Sequence, residues 1–139
     1  MSAIEQLVRL HRWRLEEERR KMAELQRLAE RLTDQIKTLD ESVEREAAAT
    51  KEHQTLELAR AFAAFADLAR LRREKLVRSQ ADVMIRIDRA RESVLETYRE
   101  LEKYEQAHKS REQRKQAEVR RRERIREDEV GIDQHRRRR

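Results

Sequence analysis

The chain has 139 residues, of which 46% are charged and only 4% aromatic; it has no proline, no cysteine and a single glycine, Gly131. So few aromatics among so many charges cannot wrap a globular core, and a chain without cysteine makes neither a disulfide nor a thiolate metal site. The net charge of +6 is uneven: residues 109–139 carry thirteen basic and seven acidic side chains, whereas residues 41–67 carry three and six.

Proline costs a helix interior about 3 kcal/mol and glycine about 1 kcal/mol, so this chain can be helical almost throughout. High charge with few aromatics also marks disorder, but a disordered segment does not hold its aliphatic residues to one face over many turns. Residues 1–10 carry Glu5 and Arg9 inside a short apolar stretch and lack the core of a signal peptide. The longest apolar run, residues 61–66, is far too short to span a bilayer. Both lead us to expect a soluble, cytoplasmic protein.

A first heptad frame places Val8, Leu15, Met22, Ala29, Ile36 and Val43 at a and Ile4, Leu25, Leu32 and Leu39 at d, interrupted by His11, Glu18 and Glu46. The frame then fails, because continuing it puts Thr50 and Glu57 at a and His53 at d. A second frame begins at Ala59 and Phe62 and runs through Ala66, Ala69, Leu76, Val83, Ile87, Ala90, Val94, Thr97, Leu101 and Tyr104, interrupted by Arg73 and Gln80. A phase jump of this kind is either a stutter in one long helix that pairs with a second copy, or a reversal. We favour reversal, since residues 50–55 (TKEHQT) hold the weakest helix formers of the interior and Thr55 is placed to cap a new helix.

The expectation is an all-α fold: one coiled-coil domain over residues 1–139, a long antiparallel two-helix hairpin with an overhanging C-terminal helix. Helix one covers about 3–48, the turn about 49–57, helix two about 58–130, and residues 131–139 form a disordered tail. Folding at about residue 54 sets Val43 near Ala66, Met22 near Ile87 and Ile4 near Tyr104, in a rod of roughly 75 Å.

No glycine-rich phosphate loop, nucleophile elbow or metal-ligand spacing is visible, and we expect no enzyme, no cofactor and no metal. His11 and His108 lie on the two seams and, with Glu105 and Glu18, sketch a metal set; polar residues that fix register explain them more simply. Phe62 sits on the seam just past the turn and Phe65 beside it, as a plug of the hairpin end or as an apolar docking patch. Trp13 lies off the seam between Arg12 and Arg14, a composition typical of interface hot spots, although packing on the overhanging helix would also account for it. The basic run of residues 120–126 and the four terminal arginines suggest nucleic acid at first sight. Glu118, Glu123, Glu127, Asp128 and Glu129 dilute that run, and a basic end offered to an acidic protein cavity suits it better.

Three blocks carry a family resemblance over nearly the whole chain: residues 7–17 (LVRLHRWRLEE), residues 62–76 (FAAFADLARLRREKL) and residues 98–104 (YRELEKY), followed by a charged tail with Asp128 and Glu129. In order and spacing they resemble the flagellar export protein FliJ family, in its alphaproteobacterial form, which is related to the injectisome stalk proteins. The chain departs from some members in having no proline or glycine near the turn. The resemblance implies a cytoplasmic component of the type III protein export apparatus at the inner membrane. The resemblance further implies an antiparallel coiled coil similar to the central stalk of rotary ATP synthases, with a role in flagellum biogenesis and motility. It implies as partners the FliI-like export ATPase ring, the FlhA-like export gate and export chaperones. On this chain, charge and exposure point to Arg9, Arg12, Trp13, Arg14, Arg111, Arg114, Arg120, Arg121 and Arg122 for the ATPase ring, and to Phe62, Phe65 and Ala69 for the gate. The alternatives are a homodimeric coiled-coil scaffold and a basic nucleic-acid-binding helix.

Overall fold

The computed structural model describes residues 2–138. It contains two helices, α1 (Ala3–Glu52) and α2 (Leu56–Arg137), which pack against each other as an antiparallel hairpin, with no strand among the described residues. Ser2 caps α1: its Oγ accepts a hydrogen bond from the Glu5 backbone N–H at 3.3 Å.

The turn is shorter than its composition suggests. Only residues 53–55 separate the two helices. Thr50, a poor helix former, is accommodated because its hydroxyl donates back to the Glu46 carbonyl at 2.8 Å, and Lys51 places a positive charge at the helix C-terminus. Thr55 caps α2, as its position suggested: its Oγ1 accepts from Leu58 N–H at 3.2 Å and its carbonyl from Ala59 N–H at 3.0 Å. Glu57 adds a negative charge to that first turn.

The C-terminal end also differs from expectation. Instead of a disordered tail from residue 131, α2 runs through Gly131 to Arg137. Gly131 does not adopt a positive φ, so it supplies no left-handed cap, and a Cβ there would meet nothing within 4 Å. A glycine in ordinary helical conformation lowers local stability by about 1 kcal/mol without terminating the helix.

The chain divides into two compact units, residues 16–95 and residues 1–15 with 96–139. In the first, which contains the turn, Leu32, Val83 and Ile87 form the buried cluster, with Leu25, Leu28, Ala29 and Leu76 packed against it. Gln80 faces Thr33 and Arg73 faces Asp40, so partners descend one helix as they ascend the other. These pairs centre the reversal between Leu56 and Glu57, not at residue 54. The displacement arises because residues 56–61 of α2 are exposed while Ala47 and Thr50 of α1 are half-buried; the first turns of α2 pass beyond the seam before packing begins. Val43 does share a groove with Ala66 and Ala69.

In the second unit Val8, Leu15 and Leu101 are buried together with His11 and Thr97. Tyr104 lies against His11, with ring centroids 4.8 Å apart, and not opposite Ile4 as the pivot at residue 54 implied. From Gln113 to Arg138 every residue is exposed, so this stretch of α2 has no covering helix among the described residues.

Candidate interaction surfaces

The terminal unit presents Trp13 with 62% of its surface exposed, flanked by Arg12 and Arg14, with Arg9 one turn earlier, all exposed. An indole left in water beside guanidinium groups is unfavourable to leave and favourable to cover, which is why this pairing recurs at binding hot spots. Arg12 is already committed in part: its Nε and one terminal nitrogen both donate to Glu105 Oε1, at 3.1 and 3.0 Å. On α2, Arg111, Arg114, Arg120, Arg121 and Arg122 are all exposed. At 3.6 residues per turn, Arg111, Arg114, Arg121 and Arg122 share one side and Arg120 points away from it. Glu118 lies on that same side and pairs with Arg122 at 3.2 Å. The helix therefore lacks the unbroken basic face that tracks a phosphate backbone.

In the unit that contains the turn, Phe62 and Phe65 are half-buried. They line a depression with Glu46, Thr50, Leu58 and Ala61, so each ring keeps one side against the hairpin and one side open. Ala69 is different. It is 7% exposed and sits in the seam, in a groove of about 370 Å³ lined by Leu39, Val43 and Ala66 and rimmed by Asp40 and Arg73. Its methyl group is used by α1, which removes it as a direct contact for a partner; Phe62 and Phe65 remain.

Three of the residues that interrupt the heptads, Arg73, Gln80 and His11, join the helices. Arg73 donates to both oxygens of Asp40, at 2.9 and 3.4 Å. Gln80 Nε2 donates to Thr33 Oγ1 at 3.0 Å. His11, 5% exposed, places Nδ1 at 2.8 Å from the Leu7 carbonyl and Nε2 at 3.0 Å from Glu100 Oε2. Both ring nitrogens are thus engaged, one by the backbone of its own helix and one by a side chain of the other. The sequence marks Arg73 and Gln80 only as interruptions of the seam, whereas His11 already reads there as a polar residue that fixes register. The available signal was complementarity: His11, Arg73 and Gln80 each have an oppositely polar or charged residue on the other helix, visible once the register is known.

The metal set drawn from the sequence does not assemble. His11 is bonded to Glu100 and Glu105 is engaged by Arg12, while His108 lies near Glu5 and Glu112. No helix among the described residues is long and apolar enough to cross a membrane. Compared with protein-family models, curated proteins and solved structures, the chain matches none.

Proposed function

We propose that this protein is a stalk-like component of a type III protein export apparatus, of the flagellar FliJ kind, which docks its terminal unit in an export ATPase ring and engages the export gate through the hairpin end. The observation that carries the reading is the combination, in one unit, of an exposed Trp13 among arginines with a long uncovered, basic stretch of α2. The order and spacing of the three sequence blocks supply the family. A helix with no partner among the described residues leaves Val119, Ile125, Val130 and Ile132 for another protein to cover, and its positive charge steers it towards an acidic cavity. Phe62 and Phe65 are the contacts offered to the gate. Export chaperones would be escorted by the same body, at the cytoplasmic face of the inner membrane.

The test is a titration of the export ATPase from the same cell, reading ATPase rate and ring assembly together. Stimulation that saturates near one copy per ring supports the stalk role, and Trp13→Ala should weaken it at least tenfold without altering helicity. No binding and no change in rate would sink the assignment.

One observation favours a second reading, a homodimeric scaffold: Leu68, Leu71, Met84 and Ile85 of α2 are exposed on the side away from the seam or on its flank. Light scattering decides, since the hairpin by itself gives a particle of 16.9 kDa.

A further inference from the structure

The strongest unassigned cluster lies at the far end of the terminal unit's seam. His108 and Glu112 stand one helical turn apart on α2, so their side chains leave the same face. Glu5 approaches them from the first turns of α1. One ligand atom from each of the three, an imidazole nitrogen and two carboxylate oxygens, lies within 4.8 Å of the others. Glu5 and His108 are half-buried and their side chains have no hydrogen-bond partner among the described residues. Glu112, its side chain 45% exposed, has a long contact of 3.8 Å to Lys115. Two carboxylates thus converge on an unengaged imidazole, and Glu5 and His108 also border a pocket with Val8, Arg9 and Arg12. Arg12 is paired with Glu105, which leaves Arg9 as the remaining cation of that border.

We infer that Glu5, His108 and Glu112 form a binding site for a divalent transition-metal ion, zinc being the best-suited class member, which ties the first turns of α1 to α2. This goes beyond the export role and does not depend on it. The donor set decides the ion. One imidazole with two carboxylates suits zinc and its neighbours, whereas magnesium and calcium select oxygen donors alone. Two ligands at the tetrahedral angle on one zinc ion, each about 2.0–2.2 Å from it, stand about 3.3–3.6 Å apart. From separations within 4.8 Å, side-chain rotations of the three residues close the set on an ion. Three protein ligands leave a fourth position to water, as in open zinc sites. The ion relieves the repulsion between the two carboxylates and frees Lys115. Because Glu5 and the other two ligands lie about a hundred residues apart in sequence, the site exists only when the hairpin is closed, so binding stabilises the folded form by mass action.

The experiment is a zinc titration of the full chain after chelator treatment, with stoichiometry and affinity from calorimetry and the thermal midpoint from circular dichroism. The expected result is one saturable site and a higher midpoint with zinc, with no such shift in magnesium. Glu5→Gln and His108→Ala should each weaken binding at least tenfold and abolish the midpoint shift. His135→Ala, at an exposed histidine outside the cluster, should leave both unchanged. All variants are checked for unaltered helicity without metal, and Glu112→Gln, at the most exposed ligand, serves if His108→Ala fails that check. Absence of saturable binding, or binding that survives His108→Ala, overturns the site. Binding that survives Glu5→Gln overturns the tie between the helices.

Discussion

The two units of this protein hold their helix pairs by different means. Residues 16–95 centre on an aliphatic cluster of Leu32, Val83 and Ile87, and their polar cross-helix pairs, Arg73–Asp40 and Gln80–Thr33, are exposed. In the terminal unit the buried row itself is mixed: Val8, Leu15 and Leu101 share it with His11 and Thr97, and His11 reaches across to Glu100. Apolar burial is non-directional and rewards area in any register that keeps the seam dry. A buried imidazole facing a carboxylate rewards one register only. The cluster supplies adhesion; the histidine and its partner index the helices.

The contrast breaks most visibly at Ile87. It is 3% exposed, and Ile87→Ala removes three carbons from the centre of the cluster. Loss of transfer energy with the cavity left behind costs about 2–5 kcal/mol in such a site. A two-helix seam has little else to draw on, so thermal and urea unfolding of the variant should move to markedly lower midpoints. A loss below about 1 kcal/mol would show that adhesion is spread along the seam and that this cluster is not its centre.

The next effect sharpens the comparison. His11→Ala leaves a cavity and removes the bond to Glu100, an expected loss of about 1–3 kcal/mol. His11→Leu keeps the volume and discards only the polar pairing. Glu100 has 52% of its side chain exposed and is resolvated, so stability should stay within about 1 kcal/mol of the parent or rise. What His11→Leu should lose is register. With spin labels at Arg9 and Lys103, electron resonance should give one narrow distance distribution for the parent and a broadened one for His11→Leu. A narrow distribution in both would pass the indexing role to Arg12 and Glu105.

Much of this architecture was legible in the residues. The absence of proline gave the helices; the two heptad frames gave their faces. The break between them, with Thr55 as a cap, gave the reversal. Register was not legible. A heptad pattern repeats every two turns, so its phase says which face packs and not which residue meets which. The pivot near Leu56 instead of residue 54 follows from residues 56–61 passing beyond the seam, which no pattern announces. That displacement, since a pivot at residue 54 sets Glu5 opposite Lys103, is why its approach to His108 and Glu112 was missed; the matching of His108 with His11 fits neither pivot. Ala69, apolar and close to the two phenylalanines in sequence, was grouped with them although its seam position in the second frame already turned it towards α1. Trp13 was legible, because an off-seam position on a seam this regular is exposed whatever the register.

The smallest effect concerns the stretch of α2 beyond Gln113, where neither adhesion nor indexing operates and helix propensity acts alone. Composition argued for a disordered tail after Gly131, whereas α2 continues through it to Arg137. Propensity without packing is a weak and local term, so the segment is sensitive to one residue in a way that the seam is not. At Gly131 a Cβ would meet nothing within 4 Å and the backbone is not left-handed. Gly131→Ala should therefore favour the helical state of the terminal residues by about 0.5–1 kcal/mol, partly by restricting the unfolded chain. Amide hydrogen exchange at residues 127–137 should slow by about threefold to fivefold while rates at Leu32, Val83 and Ile87 stay fixed, since those amides open with the seam. If exchange in the tail is already as slow as in the seam, or does not respond to Gly131→Ala, then something other than propensity holds this end of α2, and the contrast between a packed and an unpacked helix has to be redrawn upstream of Gly131.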